Sequence, residues 1–135
     1  LTYWCDLLAG QKSGAFLDLR GLRRHVAAMP LSGARVLSLF SYTGMLGRAA
    51  EHAGAREIWQ VDASEPALAL AARHHMADPA RFRSVVADVF EWLPALAAEN
   101  RFSLEHELAA ELDHPVTFAE ADYLKILLWR RAATR

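Results

Sequence analysis

The sequence predicts an α/β fold, a parallel sheet with helices on both faces, and three observations within positions 34–62 carry that prediction. Positions 36–40, VLSLF, form a short, almost continuous apolar run, as expected of a strand covered on both sides. Leu46, Ala49, Ala50 and Ala53 then recur at helical spacing, and Gly54 supplies a stop just past the last of them. A second apolar run at 58–61 ends on Asp62, eighteen positions beyond Gly44 in the turn Ser41-Tyr42-Thr43-Gly44. Strand, tight turn, helix and strand make one βαβ unit.

Such a unit serves recognition of a nucleoside. The carboxyl ends of adjacent parallel strands open onto a crevice, and a turn glycine lets the backbone approach a ligand that a Cβ would hold away. A carboxylate ending the next strand can then accept both ribose hydroxyls. Dinucleotide sites show G-x-G-x-x-G here, because a pyrophosphate needs several bare backbone N–H groups. This chain offers Gly44 and Gly47 beside Phe40 and Tyr42. That turn suits a nucleoside without phosphates, with S-adenosylmethionine the foremost choice.

The other elements follow in order. Leu1, Tyr3, Cys5 and Leu7 alternate with Thr2, Trp4, Asp6 and Leu8, and positions 9–14 are turn-rich, so residues 1–18 read as an N-terminal β-hairpin ahead of a main domain at 19–135. Leu19, Leu22, Val26 and Met29 mark one face of a helix that Asp18 can cap and Pro30 ends, with Gly21 weakening it by roughly 1 kcal/mol. Arg20, Arg23, Arg24 and His25 make a dense basic cluster on it. A solvated helix face explains the cluster, and arginine forks also match RNA phosphates. Beyond Asp62, Ser64 is a helix cap, Pro66 suits a first turn, and Leu68, Leu70, Ala71 and Ala72 continue a helix to Met76. His74 and His75 fall at its exposed end, point in different directions and lack a metal-binding spacing, so no metal is expected. Positions 82–87 read as a third strand, and Asp88 as a cap for a helix over 90–98. Leu104, Leu108 and Leu112 suggest a short helix broken at His114-Pro115, and positions 123–129 a last, antiparallel strand.

A length of 135 residues suits one domain with a core and is too short for two. With 53% hydrophobic and 23% charged residues, no uncharged membrane-length stretch and no signal-peptide pattern, the expectation is a soluble cytoplasmic protein without membrane contact. The single cysteine, Cys5, rules out an internal disulfide or a cysteine-rich zinc site. A net charge of -1 gives no overall pull toward nucleic acid. The chain opens on Leu1 rather than methionine, as a fragment of a longer protein would.

Four motifs in sequence, GQKSGAFLDLR at 10–20, LSLFSYTG at 37–44, VDAS at 61–64 and ADVFEW at 87–92, resemble the class I S-adenosylmethionine-dependent methyltransferases. Within that class they are most similar to the group that modifies cytosine at carbon 5 in large-subunit ribosomal RNA. The resemblance covers roughly positions 3–102 and resumes at 113–129. It implies a Rossmann-like sheet, S-adenosylmethionine as cofactor and RNA, foremost ribosomal RNA, as substrate. It also implies cofactor contacts from Lys12 and Ser13 in a segment lying over the cleft, from Phe40, Ser41, Tyr42, Thr43 and Gly44, and from Asp62, Ala63 and Ser64. Asp88 would accept the adenine amino group, with Val89 and Phe90 flanking the ring. Asp18 and Arg20 match the family's pair, although Leu19 replaces its usual glutamine; with Arg23 and Arg24 they stand toward the substrate.

After Phe102 the resemblance breaks. The family's Asp-Pro-Pro motif and its attacking cysteine have no counterpart here, and Cys5, better explained as a small inward hydrophobe, matches no catalytic position. No catalytic residue is therefore assigned, and the family's central strands 4 and 5 are missing. Their loss would wet the flank of the first strand at about 25 cal/mol per Å². Either intervening residues are absent from the sequence, or a shortened relative pairs with another copy as a homodimer. Beside an RNA methyltransferase stand two alternatives: the same fold acting on a small molecule or protein, and an S-adenosylmethionine-binding protein without catalysis.

Overall fold

The structure, a computed structural model, describes residues 2–11, 14–16 and 19–98, together with the backbone of two strands at 106–107 and 126–129. In order these are α1 (Arg20–Ala28), β1 (Arg35–Leu39), α2 (Met45–His52), β2 (Glu57–Asp62), α3 (Glu65–His74), β3 (Phe82–Val86), α4 (Val89–Ala98), β4 (His106–Glu107) and β5 (Ile126–Trp129). The sheet runs β3-β2-β1-β5-β4, with β1, β2 and β3 parallel and β5 antiparallel to both β1 and β4.

Alternation along the strands sends the core to two sides. Val36 and Ile58, paired in register, join Phe82 on one face under Val26 of α1 and Leu46, Ala49 and Ala50 of α2. Ala50 is wholly buried, so α2 approaches the sheet as closely as a methyl side chain allows. On the other face Leu37, Leu39 and Val61 meet Val89, Trp92 and Leu93 of α4. Helices thus cover both faces of a Rossmann-like α/β sheet. No helix among the described residues is long and apolar enough to cross a membrane.

Two expectations need correction. Residues 2–6 form no strand and residues 7–9 are a turn, so the described part of the N-terminal segment is not a hairpin. Asp6 diverts the backbone: its Oδ1 accepts from the Leu8 and Ala9 N–H groups, each at 2.9 Å, and its carbonyl accepts from Gly10 at 3.0 Å. Such local side-chain bonds compete with a strand ladder, and the apparent alternation buries no large side chain, since Tyr3, Trp4, Leu7 and Leu8 are all exposed. The second correction concerns the helix around Leu104 and Leu108. His106–Glu107 is instead extended and paired with Leu128 and Leu127, a ladder that competes with a helix too short to stand alone. Leu104, Leu108 and Leu112 themselves lie outside the described residues.

The strand expected at 123–129 is seen at Ile126–Trp129, where it pairs along β1 from Arg35 to Ser38. The flank of β1 that lacks a further parallel strand is thereby covered. The boundary drawn at position 18 falls outside the described residues.

Candidate functional site

Past Leu39 the chain makes a sharp elbow. Phe40, Tyr42 and Gly44 all have positive φ, at 52°, 47° and 75°. For the two aromatics this costs on the order of 1–2 kcal/mol each, so other bonds must hold them. Ser41 N–H donates to the Val61 carbonyl at 3.1 Å and Gly44 N–H to the Ser41 carbonyl at 2.8 Å. Above all, Tyr42 N–H donates to Asp62 Oδ2 at 2.8 Å, while Asp62 Oδ1 accepts from Ser64 N–H, also at 2.8 Å. Asp62 therefore ties the elbow to the tip of β2 and opens α3, whose cap Ser64 accepts from Ala67 N–H at 3.4 Å.

The turn glycines answer to a side chain beneath them. A Cβ on Gly44 would lie 2.6 Å from Gln60 Oε1, and one on Gly47 would lie 2.3 Å from Gln60 Nε2. Gln60 is fully buried, and its Nε2 donates to the Gly44 carbonyl at 3.4 Å. A packing reason thus stands beside the expectation that the turn glycine lets the backbone approach a ligand. Gln60 was missed although a signal existed, since it is the polar residue inside the otherwise apolar run at 58–61.

Asp88 lies at the same sheet end as Asp62. The ladder continues one step beyond β3 through Ala87 N–H to the Asp62 carbonyl at 3.0 Å, which sets Asp88 at the same sheet end, solvent-exposed. Its Oδ1 accepts from Phe90 N–H at 2.8 Å and so opens α4. Val89 packs in the core at 5% exposure, whereas Phe90 is 75% exposed with its ring 5.5 Å from that of Phe40. Ala63 is exposed, and Thr43 and Ser41 are buried.

A cleft opens on the other side of the elbow, lined by Phe16, Leu19, Arg23, Phe40, Tyr42 and Met45 among others. The N-terminal segment roofs it. Gln11 N–H donates to the Tyr42 hydroxyl at 2.9 Å, and the Phe16 ring meets the Tyr42 ring edge-on at 5.1 Å. Arg23 is half-buried and donates to the Phe16 carbonyl at 2.9 Å, while Arg20 and Arg24 are exposed. Lys12, Ser13 and Asp18 lie outside the described residues.

Sequence reasoning also missed His75. His74 is exposed and stacks on Trp4 with ring centroids 4.5 Å apart, but His75 is 4% exposed and not at a free helix end. Its Nε2 accepts from Trp4 N–H at 2.8 Å and its Nδ1 lies 2.6 Å from the Thr43 carbonyl. Burial pushes its pKa below the usual histidine range; the Thr43 carbonyl opposes this, and the nearby positive charge of His74 adds to it. A signal existed: Leu68, Ala71 and His75 follow one buried helical stripe.

Comparison with known proteins points to the same fold. A ribosomal RNA large subunit methyltransferase of Deinococcus radiodurans is 42% identical over 98 residues, covering 70% of this chain and 24% of the relative. A solved structure from Streptococcus mutans, assigned as a SAM-dependent methyltransferase, superposes with a TM-score of 0.60 at 33% identity, covering 67% of this chain and 25% of that one. Another, assigned as a methyltransferase and complexed with SAH, gives a TM-score of 0.60 at 32% identity over the same shares. No protein-family model matches the chain. The chain spans about a quarter of the length of the curated relatives it matches. It has the Rossmann-like fold of the class I S-adenosylmethionine-dependent methyltransferases and, within that class, resembles the large-subunit ribosomal RNA methyltransferases.

Proposed function

We propose that this chain is the cofactor-binding part of an S-adenosylmethionine-dependent methyltransferase that modifies ribosomal RNA in the cytoplasm, with cytosine carbon 5 as the target atom. One observation carries the reading: Asp62, at the tip of β2, is bonded to the aromatic elbow through Tyr42 N–H at 2.8 Å and lies at the same sheet end as Asp88, just past the tip of the neighbouring strand. Each Asp62 oxygen keeps a lone pair after its one backbone bond, which matches the two hydroxyls of a ribose. Asp88, exposed one strand further, suits the amino group of the purine, and Phe90 its face. Among the similar structures, one is complexed with SAH.

The bound cofactor would supply an electrophilic methyl carbon; the residues here would hold and orient it. Lys12 and Ser13 enter as cofactor contacts by sequence resemblance alone, and Ser41, Thr43, Ala63, Ser64 and Val89 shape the backbone around the crevice. The RNA reading rests on the names of the relatives and on Arg20, Arg23 and Arg24 along α1, and Asp18 enters by sequence resemblance alone. Because β5 already pairs along the flank of β1, a homodimer is not needed to complete the sheet there. The deciding experiment is calorimetric titration with S-adenosylmethionine and S-adenosylhomocysteine, followed by methyl transfer to ribosomal RNA from a methylation-deficient host. Binding without transfer would favour a cofactor-binding fragment, and no heat with either ligand would end the reading.

A further inference from the structure

His75 joins three segments that are remote in sequence: the N-terminal arm through Trp4, the elbow through Thr43, and the end of α3 on which it sits. The hydrogen bonds fix its state. Trp4 N–H can only donate, so Nε2 carries no proton. The Thr43 carbonyl can only accept, so the proton sits on Nδ1. In the neutral Nδ1–H form both bonds are made; a second proton on Nε2 would set donor against donor at 2.8 Å inside a buried site.

We propose that His75 is a positioning residue for the elbow that borders the nucleoside crevice: neutral, it latches the N-terminal roof of the adjoining cleft to that elbow, and protonated, it releases the roof. The roof in question bears Gln11 and Phe16, which rest on Tyr42. The charges around His75 favour the neutral form or are already matched. His74 precedes it on α3, and Arg48 faces it from α2, paired with Glu51. Glu51 also accepts from the Ala77 and Asp78 N–H groups, at 3.3 and 2.8 Å, and Asp78 is paired with Arg81 at 3.1 Å. From the arm, the described contacts to this histidine pair are the backbone and ring of Trp4, both neutral. The effect on cofactor affinity rests on the reading of the crevice given above, whereas the latch itself does not.

Three measurements on the 135-residue chain test this. Nitrogen-15 NMR of the imidazole should show the Nδ1–H tautomer at neutral pH; an Nε2–H tautomer or a charged ring would overturn the latch. Hydrogen-exchange protection at Gln11 and Tyr42 should fall by roughly tenfold or more between about pH 8 and about pH 5.5 in the native chain. In His75→Asn it should be low and flat with pH, and in Trp4→Pro, which lacks the N–H, it should fall as well. Trp4→Ala, which keeps that N–H, should retain most of the protection. Equal protection in Trp4→Pro and Trp4→Ala, or parallel pH profiles in native and His75→Asn proteins, would refute the proposal. S-adenosylmethionine affinity should weaken over the same range, by up to about tenfold, in the native chain only. A chain that binds no S-adenosylmethionine at any pH, yet shows the tautomer and the protection pattern, would refute the crevice reading and leave the latch standing.

Discussion

Gln60 lies directly beneath Gly44 and Gly47, so close that a Cβ on either glycine would stand under 3.0 Å from its amide. The elbow over the crevice is therefore shaped from below by a fully buried polar side chain as well as from the side by Asp62.

Gly47→Ala should destabilise the protein by about 1–3 kcal/mol, the usual cost of overpacking a filled site. In a Gln60→Ala background the same change should cost little or even help, since Gly47 sits inside α2 and alanine is the better helix former by about 1 kcal/mol. Gly44→Ala should not be rescued in the same way, because its φ of 75° remains strained whatever lies beneath. Urea denaturation of the four-variant cycle measures this, and additivity of Gly47→Ala with Gln60→Ala would show that Gln60 is not the reason for that glycine.

The βαβ unit was legible because its signals are local and redundant: an apolar run at β1, alanines at helical spacing in α2, and a carboxylate closing β2. Asp62 could be placed at a strand tip from spacing alone, and Asp88 followed from the next strand. Those positions say nothing of bonds between segments remote in the chain. That Tyr42 N–H meets Asp62, that Gln60 fills the space under two glycines, and that His75 reaches Trp4 are consequences of tertiary packing. The alternation of residues 1–8 misled for a related reason, since period two is also what a short looped segment shows by chance, and Asp6 decided its conformation.

Asp62 serves the fold and the proposed ligand together, and two variants separate these roles. Asp62→Ala strips partners from the Tyr42 and Ser64 N–H groups and should cost about 1–3 kcal/mol in stability. Asp62→Asn keeps one carbonyl oxygen, so its thermal midpoint should fall less. Its affinity for S-adenosylmethionine should nonetheless drop by at least roughly tenfold, because hydrogen bonds to a charged acceptor are the stronger ones. Calorimetry showing native affinity in Asp62→Asn would remove the ribose contact.

Glu57 gives a pH dependence that can be signed. It lies at the amino end of β2, where Arg35 Nε is 2.6 Å and Arg83 Nε 3.2 Å from its oxygens and Trp59 Nε1–H donates at 2.9 Å. Burial raises its pKa, but the Trp59 and Arg35 hydrogen bonds, the Arg35 charge and Arg83 outweigh it, and the net shift is downward. A depressed folded-state pKa means that the contribution is present above the ordinary glutamate value of about 4.3 and is lost as pH falls through the lower, folded value. Glu57→Gln should thus be less stable than the native chain near neutrality and no less stable at low pH. Denaturant midpoints at both ends of that range check it, and a difference that persists at low pH would exclude the ionic contribution.

Phe90 offers the cleanest separation of binding from folding. At 75% exposure it contributes little to the core, so Phe90→Ala should change stability by no more than about 0.5 kcal/mol. An aromatic face against a purine is worth about 1–3 kcal/mol, so the same change should weaken S-adenosylmethionine binding by roughly fivefold to more than a hundredfold. Val86→Ala is the matched control: it removes an apolar side chain 54% exposed at the end of β3 and should leave affinity unchanged. If Phe90→Ala binds as the native chain does, the ring by Phe40 is no part of the purine site, and the base must be held from the roof side of the elbow instead.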